Sequence, residues 1–247
     1  VDVDFDVWLT GPAALWGAAA GLLVPRAAYR LCVEPDEPWR DRCPRGHPIT
    51  GGPGGWLGRA RCPDGTVYGP SAVLVCAATA LVCAALALAT GTRPELAVWL
   101  LLAPLAVLLT IVDFRVQRLP DVLTLPLAGA AAALLGVAAL APEHAGEWLT
   151  ALLGALALGG AYFVLFLVNP NGMGFGDVKL ALGLGAVLGW YGWSTVVLGT
   201  FAGFLFGGLY GLGLVASRRA GRRTSIPFGP FLIAGAFVGL LIGAYTS

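Results

Sequence analysis

Three aspartates and a lysine sit where an apolar chain has little reason to put them. Asp113 directly follows Leu-Leu-Thr-Ile-Val. Asp121 follows Leu119-Pro120 and opens another apolar run. Asp177 and Lys179 lie in Asn169-Pro-Asn-Gly-Met-Gly-Phe-Gly-Asp-Val-Lys-Leu180, just before a stretch of Ala, Leu, Gly and Val. An ionisable side chain at the edge of a membrane helix is costly, which makes it a functional candidate. Two carboxylates brought together cannot both ionise freely: one keeps a proton and serves as general acid, while the other activates a water. They titrate as a coupled pair. Such a pair can hydrolyse an amide without a metal or a covalent intermediate, so Asp177 needs a partner.

Helix-end electrostatics rank the two candidates. Asp121 follows a proline and precedes an apolar run, an N-terminal signal in which a carboxylate satisfies free amides and the helix dipole. It has a structural or substrate-supporting explanation. Asp113 would end a helix, where the dipole disfavours an anion. Its alternative is an ion pair with Arg115 or Arg118, but it is the better partner for Asp177. Lys179 has two readings: an anchor snorkelling to the interface, or a charge that tunes the aspartyl pair. Gly172, Gly174 and Gly176 are expected to supply positive φ or close backbone approach, loop freedom that would let a peptide backbone in.

The elements that must position these residues are membrane spans. The chain has 247 residues, 57% hydrophobic and 12% charged, against about 25% charged in soluble domains, and its mean hydropathy is +0.80. This implies an all-α polytopic membrane protein embedded in a lipid bilayer. Eight apolar spans are expected at roughly 7–25, 70–90, 95–112, 121–141, 147–168, 177–192, 194–216 and 226–245. The one from 177 is short enough to begin inside the membrane. No internal repeat is evident. A net charge of +1 suggests no nucleic-acid partner, and the Ala, Gly and Arg content suggests a high-GC bacterial source.

Orientation follows from the basic residues. Fourteen of the fifteen, among them Arg26, Arg115, Lys179, Arg218, Arg219, Arg222 and Arg223, fall in odd-numbered loops, and Arg93 alone falls in an even one. By the positive-inside rule the odd loops are cytoplasmic and both termini face outward. The three aspartates then share one depth and one face. Asp2, Asp4 and Asp6 precede the first span where a signal peptide would carry basic residues. The first residue is Val, so an initiator Met has been removed or the chain trimmed. The division expected is a first transmembrane helix (1–25), a small, irregular cytoplasmic loop subdomain (26–69) and a transmembrane core (70–247). Cys76 and Cys83 lie in a span and read as small hydrophobes. Cys32, Cys43 and Cys62 share the loop, and an odd trio is poor evidence for disulfides.

Three stretches together resemble bacterial type IV prepilin peptidases, which are GxGD intramembrane aspartyl proteases. Gly174-Phe-Gly-Asp-Val-Lys-Leu180 matches the GxGDxKL signature. Ile111-Val-Asp-Phe-Arg-Val-Gln-Arg-Leu-Pro-Asp-Val-Leu-Thr-Leu-Pro126 is similar to the first aspartate region, and Ile226-Pro-Phe-Gly-Pro-Phe-Leu232 to a stretch in the last span. The resemblance runs from about residue 95 to the end. It implies an aspartic endopeptidase of the bacterial cytoplasmic (inner) membrane. Asp113 and Asp177 would be catalytic, with Gly174, Gly176, Lys179 and Asp121 in substrate or supporting roles. The substrates implied are prepilins of type IV pili or pseudopilins of type II secretion, cut at the cytoplasmic face. The substrate's apolar helix would lie among the spans.

Many members also methylate the new N-terminus with S-adenosylmethionine, and their first cytoplasmic loop carries two zinc-binding C-x-x-C pairs. Here Arg42-Cys-Pro-Arg-Gly-His-Pro-Ile49 and Gly58-Arg-Ala-Arg-Cys-Pro-Asp-Gly65 each resemble a pair with one cysteine lost, and Pro25–Leu31 resembles the family's first stretch only loosely. Methylation is therefore in doubt, and proteolysis needs no cofactor. Two readings of the loop stay open: a zinc site of Cys32, Cys43, His47 and Cys62, a suitable ligand set, or a degenerate loop without metal. The competing function is a transporter or channel, which also uses interrupted helices with buried charge. Acidic residues gathered at one face rather than the midplane argue against it.

Overall fold

The computed structural model describes residues 3–34, 37–170, 172–217 and 226–247. Asp2, Asn171 and the arginines at 218, 219, 222 and 223 lie outside the described residues. All regular structure within them is helical: α1 (Val3–Gly21), α2 (Val24–Leu31), the single turn α3 (Gly52–Gly55), α4 (Ala72–Thr90), α5 (Glu95–Val116), α6 (Asp121–Ala138), α7 (Trp148–Val168), α8 (Phe175–Gly189), α9 (Trp193–Ala216) and α10 (Gly229–Thr246). Beyond the helices there are only isolated antiparallel bridges among the described residues. Six helices, α4, α5, α6, α7, α9 and α10, are long and apolar enough to cross a membrane. They fall where the apolar runs put them.

Breaks in the helices have local causes. Gly91, at φ 66°, ends α4, and Gln117, a non-glycine in the left-handed region at φ 50°, ends α5 four residues after Asp113. Leu119-Pro120 then turns the chain into α6. Pro104 and Pro126 lie inside α5 and α6, as membrane helices tolerate.

α8 is the axis of the bundle. Its 15 residues rise only about 22 Å, short of the ~30 Å apolar core of a bilayer. Even so it is the most enclosed helix, with Leu180, Ala181 and Ala186 fully buried, and it packs on α6, α7, α9 and α10. Close approach is what its glycines supply: a Cβ on Gly189 would stand 2.5 Å from the Thr150 carbonyl of α7, and one on Gly154 would stand 2.6 Å from that of Gly185. Between apolar helices in lipid, such small-residue contacts replace the hydrophobic drive available in water. α1 lies against α4, and Trp16 donates its indole N–H to the Leu100 carbonyl of α5 at 2.8 Å.

The loop between α2 and α4 is better ordered than its sequence suggests. Arg26 and Arg30 of α2 are 8% exposed each, and they point into the loop instead of at solvent. Arg26 donates to the carbonyls of Thr50 (2.7 Å), Leu57 (3.3 Å) and Arg59 (2.6 and 3.0 Å). Arg30 donates to those of Arg40 (3.0 Å) and Gly54 (2.9 Å) and lies over the Trp56 ring. A guanidinium offers five donors in a fixed fork, enough to tie a chain that has no ladder of its own. The loop also holds a short internal repeat. Arg42-Cys-Pro-Arg-Gly46 and Arg61-Cys-Pro-Asp-Gly65 form matching turns, bridged Arg42 to Pro48 and Arg61 to Val67.

Candidate active site

Asp113 and Asp177 come from opposite helix ends and meet at one end of the bundle. Asp113 lies in the last turn of α5, 4% exposed, and Asp177 in the first turn of α8, 7% exposed. They are close enough for their charges to interact. Each receives a hydrogen bond from a backbone amide at the start of a helix. Asp177 Oδ2 accepts from the Gly174 N–H at 3.1 Å, at the mouth of α8. Asp113 Oδ2 accepts from the Gly229 N–H at 3.0 Å, the first residue of α10. The end of α5 is a poor place for an anion, and the N-terminus of another helix compensates for it. Neither aspartate is paired with an arginine among the described residues. Arg118 donates instead to the Glu34 carbonyl at 3.0 Å.

Gly229 was not singled out from the sequence, and it is the residue that most constrains the site. A Cβ there would stand 2.7 Å from Asp113 Oδ2 and 3.2–3.3 Å from the Leu119 methyls. The Ile-Pro-Phe-Gly-Pro motif that contains it was the available signal. Tyr162 of α7 was also missed. Its ring, 1% exposed, packs on Phe228 and Phe204, its hydroxyl has no hydrogen-bond partner among the described residues, and it lies within electrostatic range of Asp177. A buried hydroxyl left unpaired costs about 1–3 kcal/mol. At the far end of the bundle Glu95, 0% exposed, accepts from the Ala145 N–H (3.3 Å) and the Tyr191 hydroxyl (3.4 Å).

The supporting residues behave differently from one another. Lys179 Nζ is 2.7 Å from Asp121 Oδ1 and lies over the Phe175 ring. The structure thus gives it a partner of its own, and the pair fastens the start of α6 to the start of α8. None of Gly172, Gly174 and Gly176 adopts a positive φ. A Cβ on Gly176 would come 2.8 Å from that of Leu119, so this glycine serves close packing, whereas one on Gly174 would meet nothing nearer than Asp177 Oδ2 at 3.5 Å. What Gly174 contributes is its amide.

In the loop the two turns bring Cys43, His47 and Cys62 together, with ligand atoms within 4.8 Å of one another and Cys43 Sγ 3.6 Å from His47 Nδ1. Cys32 is not part of this group. It sits at the end of α2, against the cluster of Val24, Leu31, Val75 and Val112, where the helix and not the turns fixes its position. The set is therefore three ligands and not four. Burial raises the thiols, but at Cys43 hydrogen bonds from Cys62, Arg45 and His47 outweigh it and lower the thiol to about 7. Burial and then the Cys43 neighbour push Cys62 up to about 11. Two cysteines and a histidine are donors that suit zinc, which binds each cysteine as the thiolate.

Fold and site together define a helical membrane protein with a buried carboxylate pair at one end of its bundle. Residues 100–212, which include both aspartates, match the type IV leader peptidase family, and the resemblance to bacterial type IV prepilin peptidases holds. The chain is similar to prepilin leader peptidase/N-methyltransferases from Aeromonas salmonicida strain A449 (37% identity over 148 residues, 58% of this chain and 48% of the relative) and Pseudomonas aeruginosa (35% over 156 residues, 60% and 48%). The Escherichia coli K12 relative of the same name is 36% identical over 147 residues, 56% of this chain and 60% of its own. The chain thus spans about half the length of the Aeromonas and Pseudomonas relatives. No solved structure matches it significantly.

Proposed function

We propose that the chain is an intramembrane aspartyl endopeptidase that removes leader peptides from type IV prepilins or type II secretion pseudopilins. The observation that carries this reading is the convergence of Asp113 and Asp177, both buried, each held by an amide at a helix start. In the mechanism one carboxylate keeps a proton and donates it toward the scissile amide, and the other takes a proton from the attacking water. The Gly174 and Gly229 amides fix the carboxylate orientations, and Asp121 with Lys179 holds the helix starts in register. The site needs no cofactor for this chemistry. In proteoliposomes containing a prepilin, Asp113→Asn and Asp177→Asn should each abolish cleavage while the protein still folds. Processing by both variants would end the assignment.

In this reading α1 and α8 also lie within the bilayer, giving eight membrane segments, and 70–247 is the peptidase core. The positive-inside rule puts the aspartates at the cytoplasmic face of the bacterial inner membrane, with Val3 and Ser247 at the opposite face. Cys43, His47 and Cys62 would hold zinc, which would staple the two loop turns and take no part in hydrolysis. The relatives' names include N-methyltransferase. Here the loop lacks two of the four expected cysteines, which weighs against S-adenosylmethionine-dependent methylation. The transporter reading has less support, since the buried aspartates gather at one end of the bundle.

A further inference from the structure

The two turns of the loop repeat each other bond for bond. Arg42-Cys-Pro-Arg-Gly-His47 and Arg61-Cys-Pro-Asp-Gly-Thr66 align without a gap. In each, the cysteine N–H donates to a carbonyl further on, Cys43 to His47 at 2.9 Å and Cys62 to Thr66 at 2.8 Å. In each, the cysteine carbonyl accepts from the glycine N–H, Gly46 at 2.8 Å and Gly65 at 3.0 Å. Gly46 and Gly65 take the left-handed φ, 83° and 90°, that lets the turn close. The leading arginine donates to the carbonyl of its own glycine, Arg42 at 3.3 Å and Arg61 at 3.0 Å. Thr66 therefore occupies in the second turn the place that His47 occupies in the first, and both are half-buried.

That correspondence explains why the metal set stops at three. Two such turns brought together offer four ligand places, and this chain fills three of them, with Cys43, His47 and Cys62. Zinc takes thiolate, imidazole or carboxylate, and a neutral hydroxyl is not among its usual ligands. Asp64 is committed elsewhere: its Oδ1 accepts from the Thr66 N–H at 3.0 Å, and its Oδ2 is 3.7 Å from Arg45. An ion in this set would need a fourth ligand from outside the chain. Three protein ligands and one bound molecule is the pattern of zinc sites that exchange a ligand, and not of closed structural ones.

A cavity of about 300 Å³ adjoins the set, with Cys43 and Cys62 in its wall. Arg26, Arg59 and Arg61 line it too, and no carboxylate does. Arg26 and Arg61 donate to carbonyls, which leave their positive charges in place. Arg59 has no ion-pair partner among the described residues. Two thiolates and a neutral imidazole would leave a divalent zinc without net charge, so the guanidiniums decide what enters. Their fork of donors matches carboxylate and phosphate oxygens. Resting on the zinc reading, we propose that the fourth ligand is a small oxyanion, a carboxylate or a phosphate, which enters this cavity and lies among Arg26, Arg59 and Arg61. The loop is then a solute-binding site separate from the aspartate pair.

The test uses the full chain in detergent, loaded with cobalt(II) in place of zinc, because the visible absorption of cobalt changes with its ligands. Acetate and inorganic phosphate, titrated separately at constant ionic strength, are the probes. At least one should shift the cobalt band and saturate, and the arm that acts tells a carboxylate site from a phosphate one. Arg59→Ala should weaken that binding about tenfold, the loss of one charge-assisted hydrogen bond, and leave cobalt uptake in place. Thr66→His supplies a fourth ligand from the second turn. It should raise cobalt affinity about tenfold or more and make the band indifferent to both anions. A wild type that takes up neither cobalt nor zinc ends the zinc reading itself. If it takes up cobalt and neither anion moves the band, the proposal fails, and loss of cobalt in Asp64→Asn would then put Asp64 in the fourth place. A wild-type anion response in both Arg59→Ala and Thr66→His also overturns it.

Discussion

Gly229→Ala tests the backbone amide that holds the Asp113 carboxylate. Gly229 is the first residue of α10 and does not adopt a positive φ, so alanine suits its backbone. In a helix alanine is favoured over glycine by up to about 1 kcal/mol. The difficulty is space. The new methyl would begin 2.7 Å from Asp113 Oδ2 and 3.2–3.3 Å from the Leu119 methyls, so the carboxylate must retreat from the amide that it now meets at 3.0 Å. A hydrogen bond to a charged group is worth about 1.5–3 kcal/mol. If Asp113 reacts as proposed, then with about 1.4 kcal/mol per tenfold losing this bond predicts a fall of about 10- to 150-fold in kcat/KM. The assay is cleavage of a prepilin-type substrate in proteoliposomes, with the melting temperature followed in parallel. The reasoning requires activity to drop while stability stays level. A folded variant with wild-type kcat/KM would show that the amide does not position Asp113.

Tyr162→Phe removes an unpartnered buried hydroxyl, so the melting temperature should hold or rise while kcat falls about tenfold if that hydroxyl meets the substrate. Unchanged kcat would reduce Tyr162 to packing. Lys179→Met and Asp121→Asn break an ion pair whose Asp121 side chain is 59% exposed. Pairs exposed to solvent are worth about 0–1 kcal/mol, so each should cost under about fivefold in kcat/KM and leave the pH profile of cleavage in place. A displaced profile would restore Lys179 as a charge acting on the aspartates. Arg26→Ala deletes four hydrogen bonds to loop carbonyls, and limited proteolysis should then cut within 37–69 much faster than in the wild type. Chelation should release zinc, measured by metal analysis, only if Cys43, His47 and Cys62 hold it. In that case Cys62→Ser loses the metal and Cys32→Ser keeps it.

The spans were legible because a bilayer imposes a length and a composition, and α4 to α7, α9 and α10 follow both. The placement of Asp113 rather than Asp121 beside Asp177 was legible for a local reason, since one carboxylate had a helix start to explain it and the other did not. What relieves Asp113 was not legible: its donor is 116 residues away in sequence, and a backbone amide leaves no mark on residue type. The same distance hid the partner of Lys179, 58 residues off. The glycines before Asp177 misled in another way. Glycine announces conformational freedom and close packing alike, and here Gly176 uses the second while Gly174 is needed for its N–H. In the loop, arginine counted as a topological charge, yet Arg26 and Arg30 spend their donors on carbonyls inside it. Side chain-to-backbone bonds of this kind fold a segment without periodicity, so an irregular sequence need not be a loose one. The same reasoning applies to the aspartate pair. Both carboxylates are held by main-chain amides, and a site built that way can keep its geometry while the side chains around it change, provided that the glycine at the start of α10 stays small.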